Sequence, residues 1–171
     1  GDGVEVELSN GERLAGDLVL SAIGLRPRVS LAQDAGLDVG RGVKTDRCLR
    51  TSDPSIYALG DCAEVEGKVL LYVLPLMAAA RALAKTLTGT DTPVQYPAMP
   101  VQIKTPVCPV IVSPVAPGTA GAWEVEADGN DVKAVFKSPD GAVLGFALTG
   151  ARAASPAEKT ELTKLLPPLL A

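Results

Sequence analysis

Prolines at 93, 97 and 100, in the stretch GTDTPVQYPAMP, divide the chain into two halves of different character. No regular helix runs through such a stretch, because each ring removes an N–H and crowds the preceding turn. Before it lies a helical pattern. Leu76, Met77, Ala80, Leu83, Ala84 and Leu87 recur at three- and four-residue steps and form one apolar face. After it the pattern changes to strands, in VQIKTPVCPVIVSP, AGAWEVEA, DVKAVFKS and AVLGFALTG. Asp128-Gly129-Asn130 and Asp140-Gly141 supply turns between the last three. This predicts a small antiparallel sheet. A closing helix is expected from Ser155, with Pro156 in its first turn, to about Leu166.

The first half opens on a hairpin. Val4, Val6 and Leu8 alternate with Glu5, Glu7 and Ser9, and Asn10-Gly11 turns the chain back. Residues 18–23 form a near-continuous apolar run, predicted as a strand covered on both faces and ended by Gly24 and Pro27. A short helix is expected over 30–35, with Ser30 as its cap and Gly36 as its stop. GVKTDRCLRTSDP reads as a strand and a turn, and residues 56–59 as another short buried strand. Residues 69–74 read as strand or loop. Pro75 suits the first turn of the following helix, Lys85 its negative carboxyl end, and Gly89 its stop. The chain has no initiator Met and begins in mid-sheet, so a piece of a longer polypeptide is expected.

Composition removes several classes of function. With 171 residues, 47% of them hydrophobic, the chain suits one domain or two small ones. The net charge of −4 gives no basic field for nucleic acid or an anionic membrane. There is no histidine, so no Ser-His pair and no histidine metal ligand exists within the chain. Cys48, Cys62 and Cys108 are odd in number and widely spaced, which disfavours a disulfide framework and a zinc site. A reduced, cytoplasmic setting is the expectation. The longest apolar run, 69–80, contains a proline and ends at Arg81, too short for a bilayer span.

The stretch TSDPSIYALGDCAE carries the candidate site. A short apolar run that ends in Gly60 allows close approach to the backbone, and Asp61 after it can accept two hydrogen bonds from a polyol. The competing reading is a capping box, since Asp61 and Glu64 have that spacing. Lys104 is the second candidate. Its neighbours Val101, Ile103 and Val107 imply partial burial, and a buried Lys needs a partner, although a snorkelling surface Lys fits the same pattern. Arg26, Arg28, Arg47 and Arg50 form a local cationic cluster, either a docking patch or a solvated face.

DLVLSAIGLRPR, followed some thirty residues later by TSDPSIYALGDCAE, resembles the carboxyl-terminal half of the two-dinucleotide-binding flavoprotein reductases. YVLPLMAAARALAKTLTG, VQIKTPVCPVIVSP and DGAVLGFALTG resemble the branch of that family that reduces rubredoxin. The resemblance implies an α/β fold, a partial FAD-binding (Rossmann-like) domain plus a small carboxyl-terminal antiparallel sheet with a closing helix. Its divisions would be 1–15 as the end of the NAD(P)-binding domain, 16–92 as the FAD part, and 93–171 as the carboxyl-terminal domain. It implies FAD as cofactor and NAD(P)H as hydride donor, with the glycine-rich pyrophosphate loop and the main nicotinamide site outside this chain. Rubredoxin or a similar small iron–sulfur protein would accept the electrons.

Within that picture Asp61, with Gly60 beside it, would hold the ribityl chain. The helix near Pro75 would point its start at the flavin through the backbone around Val73, Leu74 and Leu76. Lys104 would stand near the flavin ring. The alternatives are a non-catalytic, flavin-free interaction module and a reductase for ferredoxin or nitrite.

Overall fold

The computed structural model describes residues 3–103 and 105–171. The first half begins with the hairpin: β1 (Val4–Glu7) pairs antiparallel with β2 (Arg13–Gly16). A short helix, α1 (Ser30–Asp34), follows. Val29 is its N-cap and no side chain caps it, so Ser30 is the first helical residue and not the cap. β3 (Val43–Thr45) and β4 (Ala63–Val65) run parallel, as the α/β half requires. Helix α2 (Val73–Leu87) carries Pro75 in its first turn and Lys85 in its last. Its inner face, Ala79, Ala82 and Leu83, packs against Leu49, Val65 and Val94 to form the first core.

Two predicted strands are not strands. Residues 18–23 pair with no strand, and Leu18, Leu20 and Ile23 are 84–85% exposed. A strand buried on both faces exists only inside a sheet, and the described residues place no neighbour on either edge. Residues 56–59 make a single bridge, Arg50 to Tyr57. Their hydrogen bonds go instead to the local turn, with Ala58 N–H donating to the Leu49 carbonyl and Thr51 N–H to that of Ile56.

The second half is a five-stranded antiparallel sheet of β5 (Val101–Ile103), β6 (Val110–Ser113), β7 (Ala122–Asp128), β8 (Asp131–Lys137) and β9 (Val143–Thr149), in the order β5-β6-β9-β8-β7. Helices α3 (Gly150–Ala154) and α4 (Pro156–Leu165) cover one face. They bury Ala153 and Leu162 against Ile111, Val135, Phe146 and Leu148, the second core. α4 starts as expected: Ser155 caps it by accepting the Glu158 N–H, and Pro156 is its first residue. The opposite face is uncharged along β7 and β8, where Trp123, Val125 and Ala127 stand opposite Phe136, Ala134 and Val132. The carboxyl-terminal tail then returns to the first core, where Leu170 pairs with Tyr96 through two backbone hydrogen bonds of 2.9 and 3.0 Å.

Candidate flavin site

Gly60 opens a single 3-10 turn, Gly60–Cys62, with φ of +81°. That is left-handed space, which costs a residue with a Cβ about 1–2 kcal/mol. A Cβ at Gly60 would also lie 3.0 Å from Cδ1 of Leu76, in the first turns of α2. The glycine therefore does two things: it bends the chain, and it lets the start of α2 settle against the bend. Asp61, the next residue, is exposed and makes no hydrogen bond or ion pair among the described residues.

Asp61 and Glu64 do not form a capping box. No side chain caps the 3-10 turn, and Glu64 faces away, its Oε2 accepting the Gly42 N–H at 2.9 Å. A Cβ at Gly40 would sit 2.6 Å from the same oxygen, so the carboxylate fills the space above a glycine loop. Glu64 shapes the scaffold, and Asp61 is left with its acceptor capacity unspent.

The amino terminus of α2 is equally open. Tyr72 is its N-cap, no side chain caps it, and no acidic residue lies in its first turn. Val73 and Leu74 are exposed, with Val73 at 68%. Their N–H groups precede the first intrahelical bond and have no acceptor within the helix. Pro75 is buried and has no N–H to offer. Leu76 is the fourth helical residue, where the ladder begins, and its side chain rests on Gly60. Gly60, Leu70, Pro75, Leu76 and Tyr96 line a narrow notch of about 10 Å³, room for one water. The Tyr96 ring is 4% exposed; burial first, and neighbouring Tyr72 second, push its hydroxyl above the usual tyrosine range. It is a neutral phenol at physiological pH.

An uncapped helix start packed against Gly60, and a spare carboxylate on the next residue, suit a ligand that is polyol at one end and electron-rich at the other. The ribityl chain and pyrimidine edge of a flavin have that description. The fit extends to the missing Cβ at Gly60, which leaves backbone accessible beside the carboxylate.

Other candidates divide. Lys104 lies outside the described residues, and its flanking residues Val101, Ile103 and Val107 are exposed, against the expected partial burial. The arginine cluster is largely neutralised from within. Arg50 pairs with Asp91 and Asp46 and donates to the Tyr57 hydroxyl, and Asp91 first, then Tyr57, hold its guanidinium above the usual value. Arg47 lies 3.7 Å from Glu66. Only Arg26 and Arg28 of the four are without an ion pair among the described residues. The three cysteines are free and half-buried, and the described residues contain no metal-binding cluster. Nor is any described helix long and apolar enough to cross a membrane.

Residues 1–85 match the family model for pyridine nucleotide-disulphide oxidoreductases, and residues 93–166 match that for the rubredoxin binding C-terminal domain. The chain belongs to the pyridine nucleotide-disulphide oxidoreductases. Within that family its similarity is to the rubredoxin-NAD(+) reductases. It is 63% identical to that of Alcanivorax borkumensis over 164 residues, 96% of this chain and 42% of the relative. It is 48% identical to that of Acinetobacter baylyi over 172 residues, 99% of this chain and 43% of the relative. The solved structure of the covalent putidaredoxin reductase–putidaredoxin complex is 26% identical with a TM-score of 0.74, covering 93% of this chain and 39% of that one. The chain thus spans a little over two-fifths of the length of its curated relatives.

Proposed function

We propose that this chain forms the carboxyl-terminal part of a cytoplasmic FAD-dependent reductase that passes electrons from NADH to rubredoxin or a similar small iron–sulfur protein. The observation that carries the reading is the packing of Gly60, the neighbour of the exposed Asp61, against Leu76 in the first turns of the uncapped helix α2. It stands in a chain that is 63% identical to a rubredoxin-NAD(+) reductase. The domain divisions at 15 and 92 are part of the proposal.

FAD, when bound, accepts hydride from a nicotinamide and releases electrons singly. This chain's residues would hold and tune it. The Asp61 carboxylate accepts hydrogen bonds from the ribityl hydroxyls. The Val73 and Leu74 N–H groups and the dipole of α2 would stabilise the negative charge that reduction places on the flavin, worth about 0.3–2 kcal/mol. Lys104 would add a positive charge on the ring side. A second reading has its own support. Residues 18–25 expose Leu18, Leu20, Ile23 and Leu25, so the isolated chain would act as a flavin-free module that joins another surface.

The test uses the intact holoenzyme with NADH and oxidised rubredoxin. Rubredoxin reduction at the expense of NADH is the expected result; a flavin-loaded enzyme that leaves rubredoxin oxidised contradicts it. In the same preparation Lys104→Met should lower the flavin midpoint potential. A lost interaction of about 1.4 kcal/mol corresponds to about 30 mV in a two-electron couple. An unshifted potential removes Lys104 from the site.

A further inference from the structure

We propose that Leu170 is a positioning residue for the flavin site, acting on it through Tyr96. This rests on the functional reading above and adds a residue that the reading does not use. Two segments run between the halves of the chain, residues 93–100 before β5 and residues 166–171 after α4. They clasp each other at one point. The Tyr96 N–H donates to the Leu170 carbonyl at 2.9 Å, and the Leu170 N–H donates to the Tyr96 carbonyl at 3.0 Å. Both residues are buried in the first core, with Leu49, Val65 and Val94.

The clasp sits behind the site. Tyr96 lines the notch with Gly60, Pro75 and Leu76, which belong to the bend and the first turns of α2. Burial first, and Tyr72 second, raise its hydroxyl, and Tyr72 is the N-cap of α2. The ring therefore stands beside the helix start as well as the bend. Leu170 does not line the notch, so its route there is its hydrogen-bonding partner.

The segment that carries Leu170 has little slack. Leu166 packs on the second core, Leu169 and Leu170 pack on the first, and the two residues between are Pro167 and Pro168. Proline rings fix φ, so this link is semi-rigid. A buried, doubly hydrogen-bonded contact takes discrete arrangements and does not deform smoothly. Closed, it holds the Tyr96 ring behind Gly60 and Leu76. Open, that wall of the notch is lost, and the start of α2 is free to leave the bend. A ligand that needs the closed form shifts the clasp toward closure, and by linkage the clasp changes the ligand's affinity by the same factor.

The experiment reads both directions of this coupling in the intact enzyme, with FAD as the probe. Exchange of the Leu170 amide proton is compared between the flavin-loaded and deflavinated wild type. The Leu148 amide, on β9 in the second core, is the control. The FAD dissociation constant is then measured for Leu170→Ala and for the volume-conserving Leu170→Met. FAD should slow Leu170 exchange about tenfold and leave Leu148 unchanged, and Leu170→Ala should weaken FAD binding by about the same factor, within the range of coupled sites. Leu170→Met should keep wild-type affinity. Leu170 exchange that ignores FAD, or that slows no more than Leu148 exchange, overturns the proposal even if Leu170→Ala does not fold. Wild-type FAD affinity in a folded Leu170→Ala enzyme overturns it too, and the functional reading survives each of these results. A wild-type enzyme that takes up no FAD overturns both.

Discussion

Replacing Gly60 with valine is expected to leave the holoenzyme largely without flavin. The position is constrained twice. Its φ of +81° is costly for any residue with a Cβ and more so for a β-branched one. The Cβ would lie 3.0 Å from Leu76 Cδ1, and valine adds two methyl groups to that contact. The turn that carries Asp61 and the start of α2 must then separate. Flavin occupancy should fall about tenfold or more, equivalent to at least about 1.4 kcal/mol of lost binding. Gly60→Ala should fall between, since it pays the backbone cost with a smaller clash. The check is the flavin-to-protein ratio of purified protein alongside its thermal midpoint. A valine variant with full flavin content shows that the bend does not build the site.

Phe146→Ala is expected to remove about 3–5 kcal/mol from the carboxyl-terminal sheet, the cost of emptying a fully packed aromatic site. Phe146 is 0% exposed and packs within the cluster of Ile111, Val135, Leu148, Ala153 and Leu162. That loss rivals the whole stability of a small module. The two cores share no residue, so the sheet should unfold before the flavin site does. Two natural probes separate the events. The single tryptophan, Trp123, lies on β7 with its ring 5.3 Å from that of Phe136, so its fluorescence reports the sheet. Flavin absorbance reports the first half. In urea the Trp123 transition should move to lower denaturant in the variant while the flavin transition moves little. Coincident transitions that shift together would show one cooperative unit instead.

Local pattern carried much of this structure. The hairpin turn at Asn10-Gly11, the amphipathic face of α2, the three long strands and the Ser155-Pro156 helix start each depend on residues within a few positions of one another. What could not be read depends on distant partners. Residues 18–23 have the apolar content of a buried strand whether or not a neighbouring strand is present, and the described chain places none beside them. Glu64 has the spacing of a capping partner for Asp61, but a glycine loop 22 residues earlier claims its carboxylate. Arg50 looks available until Asp91, 41 residues on, is brought beside it. The bend at Gly60 was legible because its conformation is set by the glycine. The contact with Leu76 that completes it spans 16 positions and was not.

The account depends on Asp61 being a free carboxylate held ready for a polyol. The direct measurement is the FAD dissociation constant of the deflavinated intact enzyme and of its Asp61→Ala variant, with circular dichroism as the check on folding. Hydrogen bonds to a charged acceptor are worth about 1.5–3 kcal/mol each, so the variant should bind FAD at least about tenfold more weakly with its fold unchanged. Equal affinity in a folded Asp61→Ala protein would contradict the account.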